Sequence, residues 1–146
     1  MTNKKAFTLL EVMVALVILG LISGVVGVQL HKGIEEKRFQ TSIDRFHTEL
    51  FSARRLAINM QADWILTLRK EDQKLLLRRF CPELGQEQRV QWEAPFRLFW
   101  NREEIHEMVF HFAATGKVSP KGTLELMGKE KQVAFGFPQL FHITEN

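Results

Sequence analysis

One carboxylate at the edge of a long apolar segment restricts what this chain can fold into. Glu11 directly precedes residues 12–28, a run of seventeen in which Ser23 is the only polar side chain. An unpaired charge in the middle of a bilayer costs roughly 2.5–3.5 kcal/mol on insertion scales. If the segment enters a membrane, Glu11 therefore needs a partner, and the nature of that partner bears directly on function.

The apolar segment is long enough to cross a membrane. Extended to residues 7–30, it corresponds to roughly 36 Å of helix, against a hydrocarbon core of about 30 Å. A cleaved secretory signal is the competing interpretation. The basic stub of residues 1–6 is short for such a signal, a carboxylate stands at the start of the segment, and no Ala-x-Ala site follows it. We therefore predict a retained single-pass helix. Lys4 and Lys5 predict a cytoplasmic N-terminus, with the rest of the chain in the periplasm of a Gram-negative cell.

A second pattern extends the predicted helix to about residue 61. Apolar residues recur at alternating steps of four and three, which places them on one helical face. The stripe consists of Phe39, Ile43, Phe46, Leu50, Ala53, Ala57 and Met60. Because the other faces are charged, this half of the helix must bury its stripe against another part of the chain.

Residues 62–146 have the features of short strands separated by turns. Alternation places Trp64, Leu66 and Leu68 on one face of a strand over residues 63–70, and a turn at 71–74 leads to a strand at 75–80. Further strands are expected at 89–92, 96–100, 107–113, 123–127, 132–137 and 139–144, with a loop at 82–88 and a turn at 101–104. A long helix packed on an antiparallel sheet is an α+β domain.

Composition limits the possible functions. The chain has 146 residues, enough for one domain and a membrane segment. Its 20 basic and 17 acidic residues become 18 and 17 without the stub that holds Lys4 and Lys5, which weakens a nucleic-acid interpretation. Cys81 is the only cysteine, so it cannot form an intrachain disulfide, and we expect it to be a small packed side chain.

The N-terminal sequence resembles the class III signal of type IV pilins and type II secretion pseudopilins. The resemblance rests on the stub followed by Phe7, Thr8, Leu9, Leu10 and Glu11. It implies cleavage between Ala6 and Phe7, N-methylation of Phe7, and a glutamate at the fifth position of the mature chain, which Glu11 occupies. Ala6 replaces the family's usual glycine. The type IV pilin-like fold that it implies has one long N-terminal helix on a C-terminal antiparallel sheet.

The resemblance gives Glu11 its partner. Cleavage creates a cationic amine at Phe7, and the amine of one subunit can pair with Glu11 of its neighbour in a helical stack. Removing one member of a buried charge pair typically costs about 3–5 kcal/mol, so the pairing selects a fixed axial register. Gly20 and Gly24 form a small-x-x-x-small motif, which either serves close packing of subunits or is incidental in a membrane helix.

Two later stretches look like the GspH/FimT class of minor subunits. The first is residues 50–58 together with the following strand. The second is Phe110-x-Phe112-x3-Gly116 followed by Gly122-x-Leu124-x-Leu126. The chain has neither a long cysteine-closed loop nor an obvious acidic calcium loop near its C-terminus, and both departures favour a minor over a major subunit.

Other chemistry has little support in the sequence. The histidines are scattered, and no Gly-x-Ser-x-Gly element or phosphate loop occurs, so we expect no enzyme activity, metal or cofactor. The histidines are His31, His47, His106, His111 and His142. Five arginines form either a solvated face or a basic DNA-binding surface: Arg54, Arg55, Arg69, Arg78 and Arg79.

We therefore expect a minor pseudopilin of a type II secretion system, with residues 1–6 as leader, 7–30 as membrane helix, 31–61 as its amphipathic continuation and 62–146 as a periplasmic domain. The expected partners are other pseudopilins, a prepilin peptidase/methyltransferase and the inner-membrane assembly platform. The alternatives are a competence pilin that binds DNA and a bitopic protein with an undetected catalytic site. Arginines converging on one exposed groove would favour DNA uptake, and paired or dispersed arginines would favour secretion.

Overall fold

The fold is known from a computed structural model that describes residues 8–137 and 143–145, without the side chains of 25–30 and 143–145. Within these residues, one α-helix, α1 (Leu9–Met60), is followed by ten β-strands. The chain divides into two compact units, Met1–Lys37 and Arg38–Asn146. The first unit contributes the N-terminal part of α1, and the second contains the remainder of α1 and all of the strands.

The strands form two antiparallel sheets of five. Sheet 1 has the order β3-β2-β1-β6-β7, and sheet 2 has the order β10-β9-β8-β4-β5. The strands are β1 (Trp64–Glu71), β2 (Lys74–Cys81), β3 (Gln86–Glu93), β4 (Arg97–Trp100), β5 (Glu103–Ile105), β6 (Glu107–Phe112), β7 (Val118–Ser119), β8 (Gly122–Met127), β9 (Gln132–Phe137) and β10 (Ile143–Glu145). The α+β class is confirmed, and the single expected sheet is replaced by two.

The apolar stripe of α1 is buried as predicted, except at its last position. Phe39, Ile43, Phe46, Leu50, Ala53 and Ala57 are all buried. Met60 is 45% exposed, so its assignment to the stripe was wrong. The reason is that α1 ends there: Gln61 adopts a positive φ of 50°, and the Ala62 N–H donates to the Ala57 carbonyl over 3.3 Å. This reversal buries Ala62 instead.

Both sheets contribute to the core that covers the stripe. The Phe46 ring lies edge-on to Phe135 of β9, with ring centroids 5.4 Å apart. Phe110 of β6 stacks on Phe137 of β9 at 4.5 Å, and Trp100 of β4 meets Phe110 at 5.6 Å. Aromatic contacts of this kind add roughly 0.5–1.5 kcal/mol each to the burial of their area. The two sheets are therefore joined through one aromatic cluster.

The region after β2 differs from the sequence-based expectation. Residues 82–88 were expected to form a loop, but β3 begins at Gln86 and pairs with β2 along its whole length, from Lys74 opposite Glu93 to Cys81 opposite Gln86. Its polar sequence has low intrinsic strand preference, and the preference is overridden by pairing with an apolar neighbour. The result is an eight-residue strand at the edge of sheet 1.

Two short strands were also missed. Residues 101–104 were expected to be a turn only, but Asn101 and Arg102 alone form it, both with positive φ, and β5 follows. Such two-residue turns usually contain glycine, which explains why the sequence did not indicate a hairpin. The β7 strand is only two residues long. The last expected strand, 139–144, overlaps β10 at Ile143 and Thr144, and its residues 139–142 lie outside the described residues.

Candidate functional site

The first described turn of α1 contains a reciprocal hydrogen-bonded pair. The Glu11 Oε2 atom accepts from the Thr8 backbone N–H over 2.9 Å and from the Thr8 hydroxyl over 3.1 Å. In return, the Thr8 hydroxyl oxygen accepts from the Glu11 backbone N–H over 3.3 Å. This is a capping box, in which a threonine at the N-cap and a glutamate three residues later satisfy backbone donors that the helix leaves unpaired.

The capping box changes the account of Glu11. The resemblance implied a partner for its carboxylate in a neighbouring subunit, whereas the structure supplies a local partner in Thr8. A negative charge in the first turn also interacts favourably with the helix dipole. Thr8 is therefore a site residue whose side chain was not predicted to have a role of its own. The Thr-x-x-Glu spacing that identifies a capping box was present in the sequence.

All hydrogen bonds that Glu11 accepts within the described residues go to one oxygen. Oε2 receives both Thr8 donors, and Oε1 receives none from the described part of the chain. A carboxylate can accept about four hydrogen bonds. The geometry therefore leaves room for a further donor on Oε1 while the local bonds remain intact.

The apolar surface of α1 next to the capping box is uncovered within its own unit. Large exposed side chains extend from Leu9, which is 82% exposed, to Ile22. Gly20 and Gly24 have no neighbouring atoms within 4 Å of an added Cβ. The Ser23 hydroxyl is satisfied by donating to the Leu19 carbonyl over 2.7 Å. Among the described residues, the structure contains no helix both long enough and apolar enough to cross a membrane.

The predicted processing residues cannot be placed relative to this pair. Ala6 and Phe7 both lie outside the described residues. The structure thus describes three of the five predicted site residues, Glu11, Gly20 and Gly24, all on α1. Glu11 is nine residues from Gly20 along the helix, so the structure does not bring them together into one site.

Two of the arginines considered for a DNA-binding surface, Arg78 and Arg79, lie on opposite faces of sheet 1. Along β2, Arg78 is exposed and Arg79 is buried, because successive residues of a strand point to opposite faces. Arg79 contacts α1: its guanidinium donates to the Ser52 hydroxyl over 2.9 Å and lies 3.3 Å from Glu49. Its assignment to a candidate surface was therefore wrong, because Arg79 is part of the packing between helix and sheet.

Two of the other arginines are engaged in ion pairs at the surface. Arg78 donates to both carboxylate oxygens of Glu87, at 3.0 and 3.2 Å, and Arg89 contacts the same carboxylate. Hydrogen bonds from Arg78, and then from Arg89, hold the pKa of the Glu87 carboxyl below its ordinary value of 4.5. Arg69 pairs with Glu71 at 3.0 Å. These arginines are paired with carboxylates, although Arg69 and Arg78 lie on the same solvent-facing side of sheet 1.

The remaining reactive residue types form no recognisable centre in the described part of the chain. Cys81 is a free, fully buried thiol at the end of β2. His31 approaches Glu35 one helical turn away, with Nε2 and Oε1 3.6 Å apart. Within residues 8–137 and 143–145, no group of three histidine, cysteine, aspartate or glutamate side chains is arranged to hold a metal ion.

Comparison with known proteins defines the class at both ends of the chain. Residues 1–27 match the family model described as the prokaryotic N-terminal methylation motif. The fold that follows, a long N-terminal helix and antiparallel sheets, is that of a pseudopilin. The chain thus carries a prokaryotic N-terminal methylation motif, and its fold is similar to that of a solved pseudopilin.

The particular structure that carries this likeness is the minor pseudopilin EpsH from the type 2 secretion system of Vibrio cholerae. The two superpose with a TM-score of 0.50 over 74% of this chain and 95% of the EpsH chain, at 15% sequence identity. At that identity the likeness establishes the fold. No curated protein sequence matches the chain.

Proposed function

We propose that the chain is a minor pseudopilin subunit of a type II secretion system. It assembles into a periplasmic pseudopilus, near its tip, and supports export of folded proteins across the outer membrane. The observation that carries the proposal is the presence on one chain of the N-terminal methylation motif and the pseudopilin fold. The resemblance of residues 50–58 to the GspH/FimT class agrees with a minor role. We assign the chain no catalytic role and no cofactor.

Maturation is the first step of this function. A prepilin peptidase/methyltransferase removes residues 1–6 by cutting between Ala6 and Phe7, and methylates the new amine of Phe7. Support comes from the motif match over residues 1–27. Intact mass and N-terminal sequencing of the protein from its native membrane should give a chain that starts at N-methylated Phe7. A mature chain that starts at Met1 would remove the basis of the assembly mechanism.

The mature subunit is held in the inner membrane by residues 7–30, with its N-terminus in the cytoplasm and its C-terminal domain in the periplasm. The support is the sequence of this segment, including residues 25–30, whose side chains lie outside the structural description. Lys4 and Lys5 favour this orientation before cleavage. Its partners there are other major and minor pseudopilins and the inner-membrane assembly platform. A separate cytoplasmic ATPase supplies the energy.

Assembly pairs the Phe7 amine of one subunit with Glu11 of its neighbour. The capping box supports a specific form of this pairing, because Thr8 occupies Oε2 and Oε1 is open to a further donor within the described residues. The incoming amine binds Oε1 without breaking the helix start. Gly20 and Gly24 allow the helices of adjacent subunits to approach closely, and both have open space beside them.

The arginines favour secretion over the alternative of DNA uptake by a competence pilin. Arg79 is buried against Glu49, Arg78 pairs with Glu87, and Arg69 pairs with Glu71. A DNA-binding surface instead needs a surplus of cations on one face, whereas Arg69 and Arg78 are each paired with a carboxylate. Deleting the gene in its native bacterium separates the two functions: we expect exported proteins to accumulate in the periplasm while transformation by external DNA is unchanged. Loss of transformation with normal export would contradict the secretion proposal.

A further inference from the structure

A groove of about 610 Å³ lies at one end of sheet 1, beside its short edge strand β7. Three strands meet there, since Ile65 of β1 is opposite His111 of β6, and His111 is opposite Ser119 of β7. The groove also includes Lys117 and Lys121, which flank β7. It belongs entirely to the C-terminal unit and has no part in the capping box or the apolar helix surface.

The charges of the groove are unbalanced. Lys117 and Lys121 are exposed, and neither makes an ion pair within the described residues. Asp63 is the one acidic side chain of the lining, and its Oδ1 atom already accepts from the backbone N–H of Ala114 over 2.9 Å. Two ammonium groups thus line the groove, and neither pairs with a carboxylate among the described residues.

The lining is apolar between these charges. Ile65 and Ala113, both partly exposed, contribute aliphatic surface to the groove. Trp64 also lines it, and the indole N–H of Trp64 is a buried donor that has no acceptor among the described residues. Most buried donors in proteins have an acceptor, so this unpaired donor is an unusual feature of the wall of the groove.

We propose that this groove binds an extended acidic polypeptide segment of a partner protein. Carboxylates of the segment pair with Lys117 and Lys121, and an aliphatic or aromatic side chain of the segment packs against Ile65 and Ala113.

A polypeptide suits the groove better than a nucleic acid does. Single-stranded nucleic acids are usually held by a basic track together with exposed aromatic rings on which bases stack. The aromatic residues of this lining, Trp64 and Phe112, are buried at 1% relative exposure each, so they offer no such platform. The inference does not depend on the proposed secretion function, since a competence subunit could carry the same groove.

The test measures binding of a defined peptide to the full-length protein in detergent micelles at low salt. The probe is a fluorescein-labelled peptide of alternating glutamate with valine and phenylalanine, and its control has glutamine in place of every glutamate. We expect the acidic peptide to bind and the neutral peptide to bind at least roughly fivefold more weakly, because two ion pairs are lost. A 20-nucleotide single strand serves as the competing ligand.

Two pairs of lysine variants test where on the protein the acidic peptide binds. The double variant Lys117→Gln with Lys121→Gln should weaken binding of the acidic peptide by roughly fivefold. Lys32→Gln with Lys74→Gln removes the same charge from exposed positions outside the groove and should leave binding within about twofold. Binding should also move the indole N–H resonance of Trp64, assigned with a Trp64→Phe variant. The proposal is overturned if the acidic peptide does not bind, if both variant pairs act equally, or if the oligonucleotide binds more tightly through the same lysines.

Discussion

Glu11 combines a local hydrogen-bonding role with a charge that is available to a second partner. Its Oε2 atom caps the helix through Thr8, and Oε1 accepts nothing from the described residues. The two roles require different properties of the side chain. Capping needs an acceptor of the right length, which glutamine also supplies, whereas pairing with an amine needs the negative charge.

This difference allows the two roles to be separated. Glu11→Gln should retain the capping box and lose subunit assembly, and Glu11→Ala should lose both. Both variants should still insert into the membrane, because the apolar segment is unchanged. Assembly can be measured by cross-linking between subunits in the native membrane, with membrane fractionation as the control for insertion. Normal assembly of Glu11→Gln would show that the amine pairing is not needed.

A second residue-scale prediction concerns Glu87, whose carboxyl pKa is lowered chiefly by the hydrogen bond from Arg78. A carboxyl with a lowered folded-state pKa contributes stability fully above its ordinary value of 4.5, and that contribution is lost as the pH falls through the folded-state pKa. Glu87→Gln should therefore lower stability at about pH 6 more than at about pH 3. Urea unfolding at both pH values measures this. When Arg78→Gln is already present, Glu87→Gln should have more nearly the same effect on stability at the two pH values. An unchanged difference between the two pH values would show that the hydrogen bond from Arg78 does not lower the Glu87 pKa.

Single elements show how local and tertiary signals combine. The long helix begins with a capping box and ends with a left-handed residue, Gln61, and its buried stripe extends between Phe39 and Ala57. The strands in turn depend on pairing as well as on their own sequence. The mainly polar β3 is a strand because β2 supplies a complete row of backbone partners beside it.

The capping box gives a prediction at the scale of the helix. Thr8→Val removes the hydroxyl and keeps the shape, so the first turn of α1 should lose about 1 kcal/mol of local stability. Thr8→Ser retains the hydroxyl and should behave like the wild type. Hydrogen exchange of the backbone amides in residues 9–13, measured on the full chain in micelles, reports this fraying. Equal exchange in the valine and serine variants would mean that the hydroxyl does not stabilise the helix start.

At the scale of the whole molecule, the C-terminal unit is held together by contacts between helix and sheets. Beside the aromatic cluster, two polar links join α1 to sheet 1. The Ser42 hydroxyl accepts from the Trp92 indole over 2.9 Å and donates to the Glu93 carbonyl over 3.1 Å. Arg79 bridges to Ser52 and Glu49. Such buried polar links are costly to break, because the group left behind has lost its water as well as its partner.

Arg79 provides the corresponding prediction. The Glu49 side chain is only 17% exposed, and Arg79→Ala removes the cation that lies beside it. The free energy of unfolding should therefore fall by about 3–5 kcal/mol. The double variant Arg79→Ala with Glu49→Ala should lower the free energy of unfolding by less than the sum of the losses in the two single variants. Arg69→Ala, which removes an exposed ion pair with Glu71, should cost less than about 1 kcal/mol. Chemical denaturation of the full chain in detergent measures all four variants; equal costs at Arg79 and Arg69 would contradict the buried role.

Much of the fold was predictable because its signals are local. The alternation of Trp64, Leu66 and Leu68, the turn after it and the stripe of α1 all follow from the spacing of apolar residues within one element. The Thr8–Glu11 pair is equally local, and its spacing is a known helix-start signal. The predictions that were wrong concern elements that depend on a neighbour distant in sequence, as with β3, or on an unusual turn, as at Asn101 and Arg102.

By itself, the sequence determined the N-terminal motif, the long helix and the apolar faces that must be buried, because each depends on residues within a few turns of one another. Only the tertiary structure decided that the strands divide into two sheets, that Arg79 lies inward while Arg78 lies at the surface, and that Lys117 and Lys121 flank one groove. These features arise from pairing between strands far apart in the chain, and periodicity within one strand does not specify which neighbour it will have.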